Sequence, residues 1–324
     1  MADALIPTPP SDFDTAWKLT LETYLVEFCE LLFPHVHAGV DWSRGHEFLD
    51  KELQQVTAES ASGRGTVDKL VKVWANDGTE EWILIHVEVQ SQHEGDFAGR
   101  MYRYHYRLFD RYGRDVVSLA VLGDDRPAWR PAEYLRERLG CGVRFTYPIA
   151  KLLDYKGRDA WLTANQNPLA AIVQGHLEAI RTQGDATERT GRKVRLVRSL
   201  YDRGLTNDDI RRIYRLLNWI VTLPKDLELR FHREMDMVES EKQTPLMTPL
   251  EKIFFEDGIE KGIEKGKLEF RREAIQLMLN ARFGWEGAAL MPNVGRIGDS
   301  ALLEKILIAV GTAKSLDEVR SQIP

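Results

Sequence analysis

Two cysteines in 324 residues, Cys29 and Cys141, are too few for a disulfide framework or for a cysteine-rich zinc or iron–sulfur site. No apolar run approaches the roughly 20 residues of a membrane-spanning helix. The first ten residues, MADALIPTPP, lack the basic segment and apolar core of a secretory leader. Neither Gly-x-Gly-x-x-Gly nor a Walker-type loop occurs, so nucleotide-driven chemistry has no phosphate cradle. The eight histidines are scattered and suggest no Ser-His-Asp arrangement. What is present is globular composition, 43% hydrophobic and 29% charged. These features predict a cytoplasmic protein with no membrane partner.

Charge is uneven along the chain. Residues 1–95 hold 6 Lys and Arg against 17 Asp and Glu, residues 96–230 hold 25 against 17, and residues 231–324 hold 13 against 16. An acidic front and a basic middle suit a carboxylate metal site beside a phosphate-binding surface; ordinary variation among solvated faces gives the same totals.

Hydrophobic periodicity predicts a helix over 13–33, ended by Pro34, and a second from an N-cap at Ser43 to about Gln55. Phe48, Leu49, Glu52, Leu53 and Val56 share one face of the second. A short strand over 54–59 is an added element. Strands follow at Thr66–Trp74 and Trp82–Gln90, joined through Ala75–Glu81, whose Asn-Asp-Gly is a hairpin signal. A helix over 96–113 and a buried strand over Val116–Leu122 complete an α/β sandwich with a mixed sheet. Past Pro131 the pattern predicts helices over 132–139, 168–183, 188–203, 207–221 and 225–240. A linker over 242–250 precedes Gly-Ile-Glu-Lys-Gly-Ile-Glu-Lys-Gly (258–266), read as a weak charged helix or a connector. Two amphipathic helices over about 268–282 and 300–310 end the chain. The expected division is a core over 1–130, a helical extension packed on it over 131–241, the connector over 242–267 and a small helical module over 268–324. The C-terminal helices are the expected place for homo-oligomer contacts.

The hairpin carries the chemistry. Folding symmetrically about Gly78 sets Trp74 opposite Trp82 and Asp68 opposite Glu88, with Cβ atoms about 4.5–5.5 Å apart. Gln90 then shares the face of Glu88, and His86 is assigned to the other face in a structural role. Two carboxylates this close need a cation between them. Mg²⁺ suits one or two carboxylates plus water and phosphate oxygens, and the Gln90 amide suits orientation of an attacking water. An ordinary ion pair of Glu88 with Lys69, Lys72 or an arginine is the competing reading. In the following helix Arg100, Arg103, Arg107, Arg111 and Arg114 fall within an arc of roughly 80°. Met101, His105, Leu108, Phe109 and Tyr112 occupy the opposite, core-facing side, and Tyr104 lies beside the arginines as a stacking partner. Guanidinium forks suit phosphate oxygens. A solvated, salt-bridged face is the alternative, although Asp110 is the sole acid in that helix beyond its first residue, Asp96.

Phe48-Leu-Asp-Lys-Glu-Leu, Val67-Asp-Lys-Leu-Val-Lys-Val, Ile85-His-Val-Glu-Val-Gln, Arg100-Met-Tyr-Arg-Tyr and Ser118-Leu-Ala-Val-Leu-Gly together resemble the PD-(D/E)XK nuclease superfamily. Within it they are similar to the recombination-promoting nuclease group, often labelled putative transposases. The resemblance covers about residues 45–240. It implies a restriction-endonuclease-like core of helix, three-stranded meander, helix and strand. It further implies Mg²⁺- or Mn²⁺-dependent hydrolysis of DNA, linked to recombination or transposition. Asp68 and Glu88 take the places of the motif acids, and Gln90 stands where a lysine is usual. That departure is typical of the group and removes a cation, for which Arg100 or a second metal compensates. Glu52 is the candidate for a further acidic metal ligand from the first core helix. Arg100, Arg103, Tyr104, Arg107 and Arg111 are the expected DNA contacts. Nothing resembles a dedicated recognition helix, so low sequence specificity is expected. The competing expectation is a nuclease fold with weak or no activity, acting as a DNA- or protein-binding module through its helical region over 132–324.

Overall fold

Three short helices open the chain where one is expected: α1 (Phe13–Thr23), α2 (Leu25–Leu32) and α3 (Pro34–Gly39). Tyr24 leaves helical geometry at φ −131°, ψ 40° and separates the first two. Pro34 starts α3 rather than ending a longer helix, because its fixed φ suits the first helical position and it has no N–H to leave unbonded. Asp12 caps α1 by accepting from Thr15 N at 3.0 Å. The next helix begins at Asp50 rather than after Ser43. Trp42–Arg44 forms a single 3₁₀ turn, β1 is Glu47–Phe48, and α4 is Asp50–Thr57. The strand expected over 54–59 is therefore helical through Thr57. The computed structural model describes residues 10–57, 66–88, 96–247, 249–313 and 315–323, with backbone alone at 55–57, 66–68, 86–88, 249–251 and 253–267.

β2 (Thr66–Trp74) and β3 (Glu80–Glu88) form the hairpin, α5 (Phe97–Tyr112) crosses over, and β4 (Val116–Leu122) returns parallel to β3. β5 (Glu133–Arg138) and β6 (Cys141–Thr146) form a separate two-stranded ribbon, and β7 (Ile149–Lys151) adds parallel to β4. The main sheet runs β1-β2-β3-β4-β7, antiparallel on one side of β3 and parallel on the other. The helix expected over 132–139 is thus a strand. Its Glu, Leu and Arg favour helix, but the Leu139-Gly140 turn and a six-row pairing with β6 override that local preference.

Helices cover both faces of the main sheet. On one, Leu49 just before α4, Leu53 of α4 and Tyr104 and Leu108 of α5 pack on Leu70, Trp82, Leu84 and Val116. Further along the same face, Phe97 and Met101 pack on Ala120, Leu122 and Tyr147. On the other, Glu22 of α1 reaches Lys69 of β2 at 2.7 Å. The helices that follow are α6 (Asp159–Ala164), α7 (Pro168–Arg181), α8 (Ala186–Leu200), α9 (Asn207–Ile220) and α10 (Lys225–Lys242). They are pinned by buried cations. Arg203 donates to Leu162 O and Gln174 Oε1, both at 2.6 Å, and Lys193 sits 4.4 Å from the centre of the Phe231 ring.

The chain divides into two compact units, Met1–Leu246 and Met247–Pro324. In the second, α11 (Pro249–Ala288) includes most of the expected connector as helical backbone, and Gly284 kinks it at φ 59°. α12 (Met291–Val294), α13 (Ser300–Thr312) and α14 (Leu316–Arg320) follow. Ile275 and Leu279 of α11 pack on Leu303, Ile306 and Val310 of α13. Arg282 donates to the Val310 and Ala313 carbonyls and so closes the end of α13. No helix among the described residues is long and apolar enough to cross a membrane.

Candidate active site

The turn between β2 and β3 decides which residues meet. Ala75 N donates to Thr79 O and Gly78 N to Ala75 O, both at 2.8 Å, and Asp77 Oδ1 accepts from Thr79 N at 2.9 Å. Gly78 sits at φ +88°, a conformation that favours glycine. The turn is therefore centred on Asp77, and the pairing is displaced by two residues from symmetry about Gly78. Asp68 stands across from His86, Glu88 across from Thr66, and Trp74 across from Glu80. Asp68 and Glu88 are not directly opposed, and Trp74 and Trp82 are not either. A displacement of two leaves the alternation intact, so positions 68 and 88 keep equal parity with each other and with Leu70 and Leu84. The assignment of His86 to the opposite alternation from Glu88 does not hold, since positions two apart repeat it. Asp68 and Glu88 are described as backbone, and Gln90 lies outside the described residues.

The lysines proposed as ordinary partners of Glu88 are engaged elsewhere. Lys69, 2% exposed, bonds Glu22 at 2.7 Å and Asp50 at 3.0 Å. Lys72 pairs with Glu47, and that bond together with the charges of Glu47, Glu80 and Glu52 holds its ammonium above the usual lysine value. Glu52 belongs to this end of the hairpin. Its carbonyl accepts from Tyr112 Oη at 3.4 Å, at the end of α5 away from Arg100. Twelve residues of helix separate those two α5 positions, about 18 Å. The structure does not bring Glu52 to the rows of Asp68 and Glu88.

The five arginines of the α5 region do not form one solvated stripe. The buried residues of α5 are Phe97, Gly99, Arg100, Met101, Tyr104 and Leu108. Their centre is turned roughly 70° toward the arginines from the expected core-facing side. Phe109, expected in the core, is 52% exposed, while Tyr104 is fully buried in the hydrophobic core rather than beside the surface as a stacking partner. Arg100 is 5% exposed, its guanidinium 5.5 Å from the centre of the Phe97 ring. Of the others, Arg103 pairs with Asp96 at 2.6 Å and Arg114 with Glu80 at 3.6 Å. Arg111 is exposed and lies over Tyr112, and Arg107 is half-buried.

Arg100 belongs to the same end of the sheet as positions 86 and 88. Its helical turn packs on Ala120 and Leu122, which pair in register with His86 and Glu88. Burial pushes the nearby Tyr147 hydroxyl above the usual tyrosine value, and the Arg100 charge opposes this. Tyr104 Oη and Tyr147 Oη are both buried and make no hydrogen bond among the described residues. A dehydrated cation and two unbonded phenols thus adjoin the strand ends.

A second polar group at these strand ends was not anticipated. Lys151 of β7 and Asp124, two residues past β4, form an ion pair with both side chains fully buried. Burial holds the Lys151 ammonium below its usual value, and Asp124 works against it. Asp124 also accepts from Arg126 N at 2.9 Å. Lys151 pairs in register with Leu122, and Leu122 with Glu88, so all three occupy one row across β3, β4 and β7. The carboxyl ends of parallel strands commonly form ligand sites. The Gly-Asp-Asp after the apolar run at 116–122 was the available signal, but by itself it reads as a turn.

Among the described residues, no group of three or more His, Cys, Asp or Glu could hold a metal ion. No protein-family model matches the chain, and no curated protein or solved structure matches it.

Proposed function

We propose that the chain is a Mg²⁺-dependent DNA endonuclease of PD-(D/E)XK type. The observation that carries this reading is the hairpin register: it sets Asp68 and Glu88 on neighbouring strands, at equal parity, with the buried Arg100 on the helix over that end of the sheet. The order β1-β2-β3 antiparallel, crossover helix, β4 parallel is the arrangement such a core requires. Diagonal neighbours on paired strands lie about 7–8 Å apart, a span that two carboxylates reaching toward one cation can close. Two hard oxygen donors suffice for Mg²⁺, which keeps waters and takes phosphate oxygens as its other ligands.

Asp68 and Glu88 are the residues that would hold the cation. When bound, it supplies charge neutralisation at the scissile phosphate and a more acidic water. Gln90, two positions beyond Glu88, orients that water through its amide. Arg100 supplies the positive charge that a lysine at position 90 would otherwise bring, and its burial means that little solvent reorganisation accompanies charge development on the phosphate. Arg103, Arg107 and Arg111 contact the DNA backbone. Glu52, at the Tyr112 end of α5, has no part in the cation site.

Gln90 in place of lysine also supports a second reading, a nuclease fold that binds DNA without cutting it. One experiment separates the two. Supercoiled plasmid is incubated with wild type and Glu88→Ala in Mg²⁺, Mn²⁺ or EDTA. Metal-dependent nicking by wild type alone is expected. Absence of nicking by either protein, with DNA still bound at low salt, overturns the nuclease reading in favour of the binding module.

A further inference from the structure

We propose that the β5–β6 ribbon is a DNA-contacting arm whose tip residue, Leu139, wedges between base pairs from the minor groove. The proposal rests on the nuclease reading for its substrate, duplex DNA. Three independent features of the ribbon support it.

The first is the tip. Leu139 is 99% exposed and adopts φ 52°, followed by Gly140 at φ 80°. A two-residue hairpin turn with both φ values positive ordinarily takes Asn-Gly or Asp-Gly. Leucine there is strained, and it presents a large apolar side chain to water with nothing to pack on. Both costs fall on one residue at the outermost point of the arm, as they do where strain serves a contact.

The second is the charge on one side. In the observed register Tyr134, Arg136 and Arg138 alternate on the same face, with Phe145, Val143 and Cys141 as their partners. Arg136 and Arg138 are exposed and form no ion pair among the described residues. The acids of the ribbon, Glu133 and Glu137, fall on the opposite face, where Glu133 is taken by Arg144 at 2.8 Å. An arm with two unpaired guanidiniums about 7 Å apart behind an apolar tip has the pattern of groove-binding ribbons.

The third is the base. Tyr134 stacks on Tyr102 of α5 at 4.8 Å, and Phe145 lies 4.5 Å from His105. The arm is therefore anchored on the helix that carries the proposed backbone contacts. From Tyr134 to Arg138 it extends about 13 Å.

The test uses the full chain, a duplex oligonucleotide containing 2-aminopurine, and EDTA to prevent cleavage. Leu139→Asn removes the apolar wedge and supplies the residue such turns prefer, so the ribbon persists. Wild type is expected to raise 2-aminopurine fluorescence on binding, and Leu139→Asn to bind without that rise. Arg136→Ala with Arg138→Ala is expected to weaken binding and lower the slope of log affinity against log salt by about two. Wild-type fluorescence and salt slope in both variants, with duplex still bound, overturn the arm and leave the nuclease reading intact. Failure of wild type to bind any duplex overturns both, and nicking by wild type but not Glu88→Ala reports on the nuclease reading alone.

Discussion

Trp17 donates through its indole N–H to Nδ1 of His176 at 3.3 Å, tying α1 to α7 across 159 residues of chain. Nδ1 is thereby the acceptor, so the ring proton is on Nε2, which donates to Gly123 O at 2.7 Å. The imidazole is fully buried, and burial pushes its pKa down to about 4 from an ordinary 6.5.

Stability is therefore expected to depend on this ring between those two values. Above pH 6.5 the histidine is neutral in folded and unfolded chains alike. As pH falls the unfolded chain takes up the proton first, so stability declines toward pH 4 and the loss then levels off, a difference of about 3 kcal/mol. Urea melts from pH 7 to pH 4 should show the decline. His176→Gln, which keeps one donor and one acceptor, should flatten that part of the profile; an unchanged profile removes His176 as its source.

Lys151→Met is expected to lower stability by about 3 kcal/mol, because it removes the cation bonded to the fully buried Asp124 side chain and leaves Arg126, 3.6 Å away, as its remaining ion-pair partner. Replacing both, as Lys151→Met with Asp124→Leu, should recover part of that loss. Denaturant titrations of the two singles and the double give the coupling, and additive effects mean that the pair contributes little to the sheet end.

Gly175→Ala tests the contact between α7 and α9. A Cβ at position 175 would lie 2.3 Å from Leu217 Cδ2, and Leu217 is itself fully buried. The expected cost is about 1–3 kcal/mol despite the better helix propensity of alanine. Thermal melting of the variant checks it.

Leu139→Asn is expected to raise stability by about 1 kcal/mol, since leucine carries a penalty in the left-handed region that asparagine largely avoids. Urea midpoints of the two proteins decide this independently of any DNA measurement.

Arg100→Met keeps most of the side-chain bulk beside Phe97 and removes the charge. Under the nuclease reading its cleavage rate should fall about a hundredfold or more. A full rate from this variant would assign the charge-stabilising role to another group.

The central strands were legible because their signals are local. Thr66–Trp74 and Val116–Leu122 are β-branched apolar runs bounded by turn residues, and the strands occupy those bounds. The hairpin register was less so. Asn-Asp-Gly announces a turn without fixing its centre, and the Asp77 side-chain bond to Thr79 N moved the centre one residue and the pairing two. On α5, helical spacing places Arg100 in the arginine arc and Tyr104 beside it, on the expected outer side. Arg100 lies over the Phe97 ring and Tyr104 is enclosed with Leu53, Leu70, Leu84 and Leu108, tertiary contacts that periodicity does not encode. Residues 133–138 look helical one by one, and only pairing with 141–146 makes them a strand. Asp124 and Lys151 are ordinary loop and strand-end charges in sequence; their meeting depends on β7 arriving beside β4.

The tight turn at Ala75–Thr79 also orders events in time. A hairpin closed by so short a loop forms in about microseconds and carries little loop-closure entropy. The partners of the Lys151–Asp124 bond are 27 residues apart in the chain, with the whole β5–β6 ribbon between them. Chain topology is thus expected to bring rows 68 and 88 together early and to join β7 to the sheet late. The least protected backbone of the first unit's sheet should be at β7, and hydrogen exchange is expected to open that strand before the hairpin.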